Sequence, residues 1–300
     1  MSAGDTKPSS FSIGSGQLSA EINLLGAELI RLRDEQGRDL LWDGDPAFWT
    51  GRSPLLFPIV GRLKNDVLRV GEMSSPMKQH GFARISTFEC VGHDQTSCRL
   101  RLDANDDTRA IYPFEFRFEV TYTIMARTLE IAVSVHNLGA GVMPAAMGFH
   151  PAFRWPLPYG ADRADHAIVF ERDEPHAISG VVGGLLARAP KPNPLQGKLL
   201  ALRDDLFAED ALVFLSPESR MVRYGAAGHR SIDVRFPMMP ELGIWSKPGA
   251  GFVCIEPWHG YASPEDFDGD LAQKPGMVLI EPGHEQRFGM SVTLDAPTTA

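Results

Sequence analysis

The chain has 300 residues, of which 43% are hydrophobic and 22% are charged. These proportions are typical of a folded globular protein and argue against extended disorder. The formal net charge is −9 at pH 7, and lysine and arginine form no runs, so we expect no nucleic-acid partner. The longest apolar runs, such as residues 212–215, are far shorter than the roughly 20 residues of a membrane-spanning helix, so we expect no membrane partner.

Cysteine usage and the first residues bear on the cellular compartment. The first ten residues contain no apolar stretch, which predicts no secretory signal. Cys90, Cys98 and Cys254 form no Cys-x-x-Cys pair, and one of the three is left over under any disulfide pairing. We therefore expect reduced thiols and a cytoplasmic protein. His-x-His, His-Glu-x-x-His and Gly-x-Gly-x-x-Gly motifs are all absent from the sequence, so we predict no metal and no dinucleotide cofactor.

The predicted elements are almost all strands, because 29 glycines and 23 prolines interrupt the chain too often for long helices. In chain order, residues 18–22 and 98–102 alternate between apolar and polar. Apolar residues then occupy every second position of residues 114–124, with charged or polar residues between them. Residues 129–135 repeat this alternation after a short link, which predicts a β-hairpin with one face in a core.

The second half of the chain adds a different kind of strand. Residues 167–170, 212–215 and 252–255 are continuous apolar runs, as expected of strands that are covered on both faces. Alternation returns in residues 232–236 and 288–294, and helical periodicity is weak throughout.

Many short strands joined by glycine and proline predict an all-β fold, a large antiparallel sandwich. Residues 199–207 are expected to hold at most one short turn or helix. No linker, charge block or internal repeat marks a boundary. We therefore expect a single domain over residues 11–296, with flexible tails at residues 1–10 and 297–300.

Large sandwiches bind ligands on a concave sheet face or at its rim, where loops present polar and aromatic groups. Four segments of this chain combine histidine, arginine, glutamate or tryptophan with glycine or proline. Their candidate site residues are Arg62, His80, Arg84, His150, Trp245, Glu256 and Trp258.

Each candidate also has a purely structural interpretation. A histidine beside a glycine is most often a hydrogen-bonded turn residue, Arg62 can brace a loop, and the tryptophans can be core residues. Glu256 follows an apolar strand, so it must either emerge at the sheet edge or be buried with a partner, because an unpaired buried charge is costly. Glu281, in a second Glu-Pro sequence, is the rival carboxylate, although its Pro-Gly turn favours an exposed position.

Taken together and in this order, the segments resemble the aldose 1-epimerases (mutarotases), in particular a less characterised branch with a His-Gly-Phe-Ala-Arg segment, here residues 80–84. The resemblance extends from the Leu-Gly-Ala-Glu-Leu segment at residues 25–29 to the closing strand. It implies an antiparallel β-supersandwich of the galactose mutarotase-like type with a sugar-binding groove. The implied partner is a small-molecule sugar, and the implied oligomer is a monomer or a homodimer.

By the same resemblance, His150 matches the general acid at the ring oxygen and Glu256 matches the general base at the anomeric hydroxyl. His80 matches a second histidine near the ring oxygen and C1. Arg62 matches an arginine that holds sugar hydroxyls. Asp210 is the nearest match to a sugar-binding aspartate, with Asp204 and Asp205 close in sequence.

The residue types suit the reaction. Opening a pyranose requires removal of a proton from the C1 hydroxyl and delivery of a proton to the ring oxygen, for which a carboxylate and an imidazolium are suitable. The chain departs from galactose-specific members, which tend to have His-Gly-Gly where this chain has His-Gly-Phe. The family also contains a branch that acts on hexose 6-phosphates, and Arg62 with Arg84 could bind a phosphate.

The predicted function is therefore interconversion of the anomers of an aldohexose. Two alternatives stay open at this point: a hexose-6-phosphate 1-epimerase, and a non-catalytic carbohydrate-binding protein of the same fold. A glycosidase that uses Glu256 and Asp210 ranks last, because it would require a carboxylate separation of about 5–5.5 Å or 6.5–9.5 Å and would leave both histidines without a task.

Overall fold

The computed structural model describes residues 9–297 and is built mainly from antiparallel strands. The strands are, in chain order, β1 (Ser10–Gly14), β2 (Leu18–Asn23), β3 (Leu29–Asp34), β4 (Leu55–Leu56), β5 (Val67–Val70), β6 (Met73–Pro76), β7 (Glu89–His93), β8 (Ser97–Asp103), β9 (Phe116–Met125), β10 (Thr128–Asn137), β11 (Met143–Ala145), β12 (Met147–Phe149), β13 (Ala152–Arg154), β14 (His166–Phe170), β15 (Ile178–Val182), β16 (Leu185–Lys191), β17 (Leu199–Ala201), β18 (Leu212–Phe214), β19 (Met221–Ala226), β20 (Ile232–Arg235), β21 (Glu241–Trp245), β22 (Phe252–His259), β23 (Val278–Ile280) and β24 (Glu285–Leu294).

Helical structure is sparse. The short helix α1 (Asp106–Ile111), which the sequence did not predict, begins with a capping box: the Asn105 side chain accepts from the Thr108 backbone N–H at 3.0 Å, and the Thr108 hydroxyl accepts from the Asn105 N–H at 2.9 Å. Short 3₁₀ turns occupy Lys64–Asp66, Ala83–Ile85, Arg163–Asp165, Asp204–Phe207 and Leu271–Gln273. None of the helices within residues 9–297 has the length and apolar character that crossing a membrane requires.

The predicted tails fall largely outside the described part of the chain. Residues 1–8 and 298–300 are not among the described residues. The first strand, β1, already begins at Ser10, one residue earlier than the expected start of the domain.

Two large sheets hold the main core between them. One has nine strands in the order β17-β14-β19-β20-β24-β10-β9-β8-β7, and the other has the order β16-β15-β18-β21-β22-β12-β4, with β13 also paired to β22. Aromatic contacts join the two sheets: the ring centroids of Phe57 and Phe118 are 5.0 Å apart, and those of Phe170 and Phe214 are 5.1 Å apart. The predicted antiparallel sandwich is confirmed.

The predicted hairpin is confirmed as β9 and β10, which pair over their whole length. Its first strand begins at Phe116 rather than at residue 114. Every second residue of β9, from Phe116 to Ile124, is buried, as the alternation indicated.

The three continuous apolar runs behave differently from one another. Residues 212–214 and 252–255 are buried on both faces, as predicted, whereas Leu215, the last residue of the predicted run 212–215, is only partly buried. The prediction for residues 167–170 is wrong, because Val169 in β14 is 40% exposed. The nine-stranded sheet has the main core on one face only, so every second side chain of β14 faces away from that core.

Strand β22 divides its side chains between two environments. Val253 and Ile255 join the core between the sheets. Cys254 belongs to a separate aromatic cluster on the outer face of the eight-stranded sheet. Glu256 and Trp258 follow Cys254 by two and four residues, so their side chains point to the same outer face.

Glycines in the two neighbouring strands make room for Trp258. A Cβ atom on Gly243 in β21 would lie 2.4 Å from Cη2 of Trp258, and one on Gly148 in β12 would lie 2.7 Å from its Cδ1. The indole therefore lies flat across the sheet, over both adjacent strands.

We predict that Gly243→Ala destabilises the protein by about 1–3 kcal/mol, because the added methyl group overpacks the Trp258 contact. Urea denaturation followed by tryptophan fluorescence measures the loss. Gly141→Ala is the matched control, because a Cβ there meets nothing within 4 Å. Equal midpoints for Gly243→Ala and Gly141→Ala would contradict this packing.

Candidate active site

A cavity of about 290 Å³ opens on the outer face of the eight-stranded sheet. The sheet supplies its floor, and the β15–β16 hairpin and several loops supply its walls. The residues predicted from sequence that line this cavity are His80, Arg84, His150, Asp210, Trp245, Glu256 and Trp258.

Strand pairing brings His150 and Glu256 together. Gly148 pairs with Trp258, and Ala152 pairs with Cys254 in the same register, which places residue 150 opposite residue 256. The Nε2 atom of His150 lies 3.1 Å from Oε2 of Glu256. The two residues are only 7% and 1% exposed, so they meet almost out of contact with water.

Burial sets the protonation of this pair. Burial, together with the positive charge of Arg84, lowers the pKa of His150 to about 3. It raises the pKa of Glu256 well above the usual range, and the negative charge of Asp210 adds to the effect. Between the pH at which His150 titrates and the raised pKa of Glu256, the pair in the free protein is therefore a neutral imidazole beside a protonated carboxyl group, which share one titratable proton.

Several buried polar atoms at the cavity lack hydrogen-bond partners within residues 9–297. They are Nε of Arg84, Nδ1 of His150, Oε2 of Glu256 and Nε1 of Trp258. The close approach of Glu256 to His150 is thus not aligned as a hydrogen bond. Buried polar groups are nearly always paired in folded proteins, so these unpaired donors and acceptors mark the cavity as a candidate binding site.

His80 approaches His150 edge-on, with the ring centroids 5.6 Å apart. Its Nδ1 accepts a hydrogen bond from the Gly61 backbone N–H at 3.2 Å, and its Nε2 lies 3.3 Å from the side-chain amide nitrogen of Gln79. Burial lowers the pKa of His80 well below its usual value, with further lowering from His150 and Arg84.

Two cavity residues hold a backbone conformation that side chains other than glycine rarely adopt. The φ angle is 68° at His80 and 73° at Asp210. Such conformations cost about 1–3 kcal/mol each and concentrate at functional sites. The strain supports a positioning role for both loops.

An aromatic wall, which the sequence analysis predicted only in part, surrounds the His150–Glu256 pair. Trp49 lies over His150 with ring centroids 4.8 Å apart, and Trp245 lies edge-on to Trp49 at 5.6 Å. Trp258 and Tyr261 complete this wall. The Phe48-Trp49 pair just before Gly51 was the only sequence signal for Trp49, and it carries no specific pattern.

The structure does not place Arg62 in the cavity, contrary to its expected role with sugar hydroxyls. Its guanidinium forms a bidentate ion pair with Asp66, with both N–O distances 2.6 Å, and donates to the Gly183 carbonyl at 3.2 Å. Its side chain also packs below Gly184, in the turn between β15 and β16. Arg62 therefore braces the hairpin that walls the cavity, and the expected phosphate-binding pair with Arg84 is not formed.

The remaining carboxylates separate clearly. Asp204 is paired with Arg163 at 2.8 Å, and Asp205 is paired with Arg203 at 2.8 Å. Asp210 is the one aspartate among the lining residues, and it is exposed to solvent. The rival carboxylate Glu281 is exposed in its turn and does not line the cavity.

A buried brace that the sequence did not reveal holds the loop after β22. Lys274, which is 2% exposed, donates to the Tyr261 carbonyl, and the Glu241 carboxylate accepts from the Gly260 N–H at 3.0 Å. Burial lowers the pKa of Lys274 to about 7 and raises that of Glu241 to about 7. These contacts fix the position of Tyr261 at the cavity.

Comparison with known proteins gives consistent matches over nearly the whole chain. Residues 9–291 match a family model described as Aldose 1-epimerase. The plasmid-encoded protein LacX of Lactococcus lactis subsp. lactis is 29% identical over 289 residues, which cover 92% of this chain and 96% of LacX.

Two solved structures are closely similar in shape. A galactose mutarotase related enzyme from Lactobacillus acidophilus is 32% identical, with a TM-score of 0.88 over 96% of this chain and 98% of that one. A galactose mutarotase-like protein from Lactobacillus casei ATCC 334 is 27% identical, with a TM-score of 0.89 over 95% of this chain and 100% of that one. The expected galactose mutarotase-like fold is thereby confirmed.

We predict that Glu256→Gln raises the melting temperature by a few degrees at pH 7–9. The pKa of Glu256 is raised in the folded state, so the wild-type carboxyl group favours folding at low pH and loses this contribution as the pH rises through its folded pKa. The neutral amide has no such loss. The gain over wild type is therefore smallest near pH 4 and widens as the pH rises.

Differential scanning calorimetry across this pH range measures the effect. Glu281→Gln is the control, because Glu281 is exposed and its replacement leaves the buried pair intact. A Glu256→Gln protein that melts below wild type at pH 8 would show that the carboxyl group is not under a burial penalty.

Proposed function

We propose that this chain, which belongs to the aldose 1-epimerase family, interconverts the α and β anomers of a free aldohexose by general acid–base ring opening and closure. The main observation behind this proposal is the buried His150–Glu256 pair, in which Nε2 and Oε2 are 3.1 Å apart. The unpaired polar atoms at the same cavity could form hydrogen bonds with the hydroxyl groups of a sugar. The substrates of the family are small-molecule sugars. The choice of a free aldohexose and the residue roles are our proposal.

In the proposed mechanism Glu256 acts as the base and His150 as the acid. A sugar hydroxyl that donates to Oε2 of Glu256, together with a ring oxygen that accepts from Nε2 of His150, favours transfer of the shared proton from the carboxyl group to the imidazole. The carboxylate then takes the C1 hydroxyl proton while the imidazolium protonates the ring oxygen. The bond between C1 and the ring oxygen breaks as the C1 carbonyl forms.

The open aldehyde rotates about the C1–C2 bond and closes on its other face, with the two residues exchanging roles. The proton count of the pair is the same before and after turnover. His80, whose ring lies edge-on to His150 with the centroids 5.6 Å apart, assists His150 in this scheme. No electrons are transferred and no water is added in this scheme.

The rest of the cavity suits a neutral sugar. Asp210 and Arg84 offer an acceptor and donors for hydroxyl groups, and Trp49, Trp245 and Trp258 offer apolar surface to the ring. Arg84 carries the one guanidinium among the lining residues described, and the Asp210 carboxylate shares that lining. This balance of charge favours an unphosphorylated substrate over a hexose 6-phosphate.

We expect Glu256→Gln to reduce kcat by about 10²–10⁴-fold, the usual contribution of a general base. Polarimetry or exchange NMR on freshly dissolved anomers of several aldohexoses, free and 6-phosphorylated, measures the rate. Glu281→Gln is the control and should turn over at the wild-type rate. Tight sugar binding by the wild-type protein, with no rate above buffer, would instead indicate a non-catalytic carbohydrate-binding protein.

The activity should also persist at unusually acid pH. The pair needs one proton: it lacks a base when it holds two and lacks an acid when it holds none. The second proton is gained only near pH 3, where His150 titrates, and the last proton is lost above the raised pKa of Glu256. We therefore predict that kcat/KM is level from about pH 4 up to the raised pKa of Glu256 and declines above that pKa.

Rates corrected for buffer catalysis between pH 3.5 and 10 give this profile. An acid limb centred near pH 6–7, where an ordinary solvated histidine titrates, would refute the burial of His150 as the origin of the profile.

A further inference from the structure

Cys254, whose side chain can also bind a metal ion, lies beside the His150–Glu256 pair. One donor atom each from His150, Cys254 and Glu256 lie within 4.8 Å of one another, and all three residues are buried. Cys254 precedes Glu256 by two residues in β22, so both side chains point to the outer face of the sheet. The register that builds the acid–base pair therefore also builds a three-donor cluster.

The donor types match a specific class of cation. Imidazole nitrogen, thiolate sulfur and carboxylate oxygen are the ligands of Zn²⁺, and three protein ligands with one exchangeable position are typical of open zinc sites. Tetrahedral bonds of about 2.0–2.1 Å place neighbouring N and O ligands about 3.3 Å apart. The observed Nε2–Oε2 distance of 3.1 Å is close to this ligand-to-ligand separation. The Cys254 sulfur lies within 4.8 Å of the other two donors, so it would have to move inward by at most about 1.2 Å to reach the separation of about 3.6 Å that a Zn–S bond of about 2.3 Å gives.

A second observation points to a ligand at this place. Oε2 of Glu256 is buried and has no hydrogen-bond partner within residues 9–297. Glu256 also lines the cavity, whereas Cys254 lies beneath it. A cation between the three donors would therefore be closed off on the protein side and open toward the sugar.

We propose that His150, Cys254 and Glu256 bind a zinc-like divalent cation, and that this cation inhibits the protein by occupying the acid–base pair. On binding, the thiol and the carboxyl group each release a proton to the buffer, so the two anionic ligands balance the charge of the cation. The fourth position, toward the cavity, holds water.

The surroundings make this a reversible inhibitory site rather than a resident one. In resident zinc sites the second ring nitrogen of a ligating histidine usually donates to a fixed acceptor, and loss of that contact costs about 10–100-fold in metal affinity. Nδ1 of His150 has no such partner among the described residues. We therefore expect a chelator to remove the cation completely.

Titration of the full chain with Co²⁺ tests the site directly, because a cysteine thiolate bound to Co²⁺ gives a charge-transfer absorption in the near ultraviolet. The wild-type protein should show this band, and Cys254→Ala should lose it while melting as a folded protein. Cys90→Ala is the matched control and should keep the band, since Cys90 lies outside the cluster. Cys254→Ser serves as a second variant if the alanine variant does not fold.

Inhibition by Zn²⁺ is the second readout, and it alone rests on the proposed function. Zn²⁺ should slow anomer exchange in the wild type, competitively with sugar and reversibly with EDTA. Its inhibition constant should rise at least 10-fold in Cys254→Ala, whose turnover should be retained because the thiol does not line the cavity. Absence of the cobalt band in wild type, or the same band in Cys254→Ala, would overturn the metal site whether or not the protein turns over sugars.

Discussion

The burial of one carboxyl group without a fixed counter-ion is the constraint on which the site depends. Glu256 is 1% exposed, and its nearest titratable neighbour is an imidazole that burial also keeps neutral. A carboxylate in this position would need a permanent cation to be stable. Because the residues described in the structure provide none, the proton is expected to stay within the pair, and we propose that a ligand whose hydroxyl groups stabilise the charged form moves it.

Strand pairing, more than loop structure, holds this pair in place. The residues flanking His150 pair with β22 in one register, so the 3.1 Å contact between Nε2 and Oε2 follows from the sheet itself. Sites built on regular elements are held more precisely than sites on loops. The loops contribute the parts that must fit the ligand: the strained turns at His80 and Asp210, and the segment carrying Tyr261.

The alternation of apolar and polar residues correctly predicted regular elements such as the β9–β10 hairpin. It failed where the position of a side chain depends on residues far away in the sequence or on the conformation of a turn. Val169 lies in a continuous apolar run of the kind expected in a strand covered on both faces. It is 40% exposed, because the core covers only one face of its sheet. The position of the Arg62 side chain depends on a turn in which Asn65 and Asp66 adopt left-handed φ angles of 58° and 57°. That turn places the Asp66 carboxylate against Arg62, and the spacing of the two residues cannot reveal it.

The unpaired atoms in the cavity connect the stability of the protein with its chemistry. Each buried donor or acceptor without a partner costs about 1–3 kcal/mol, and the strained turns add to that cost. The large core between the two sheets lies on the opposite face of β22 and does not share its packing with the cavity. The stability that this core contributes is therefore not reduced by the unpaired groups in the cavity. Under the two proposals, a sugar hydroxyl and a zinc-like cation would contact the same unpaired Glu256 oxygen, but only the hydroxyl would leave a proton in the pair. The oxygen that we propose to take part in sugar ring opening is therefore also the one through which we propose that a metal inhibits the protein.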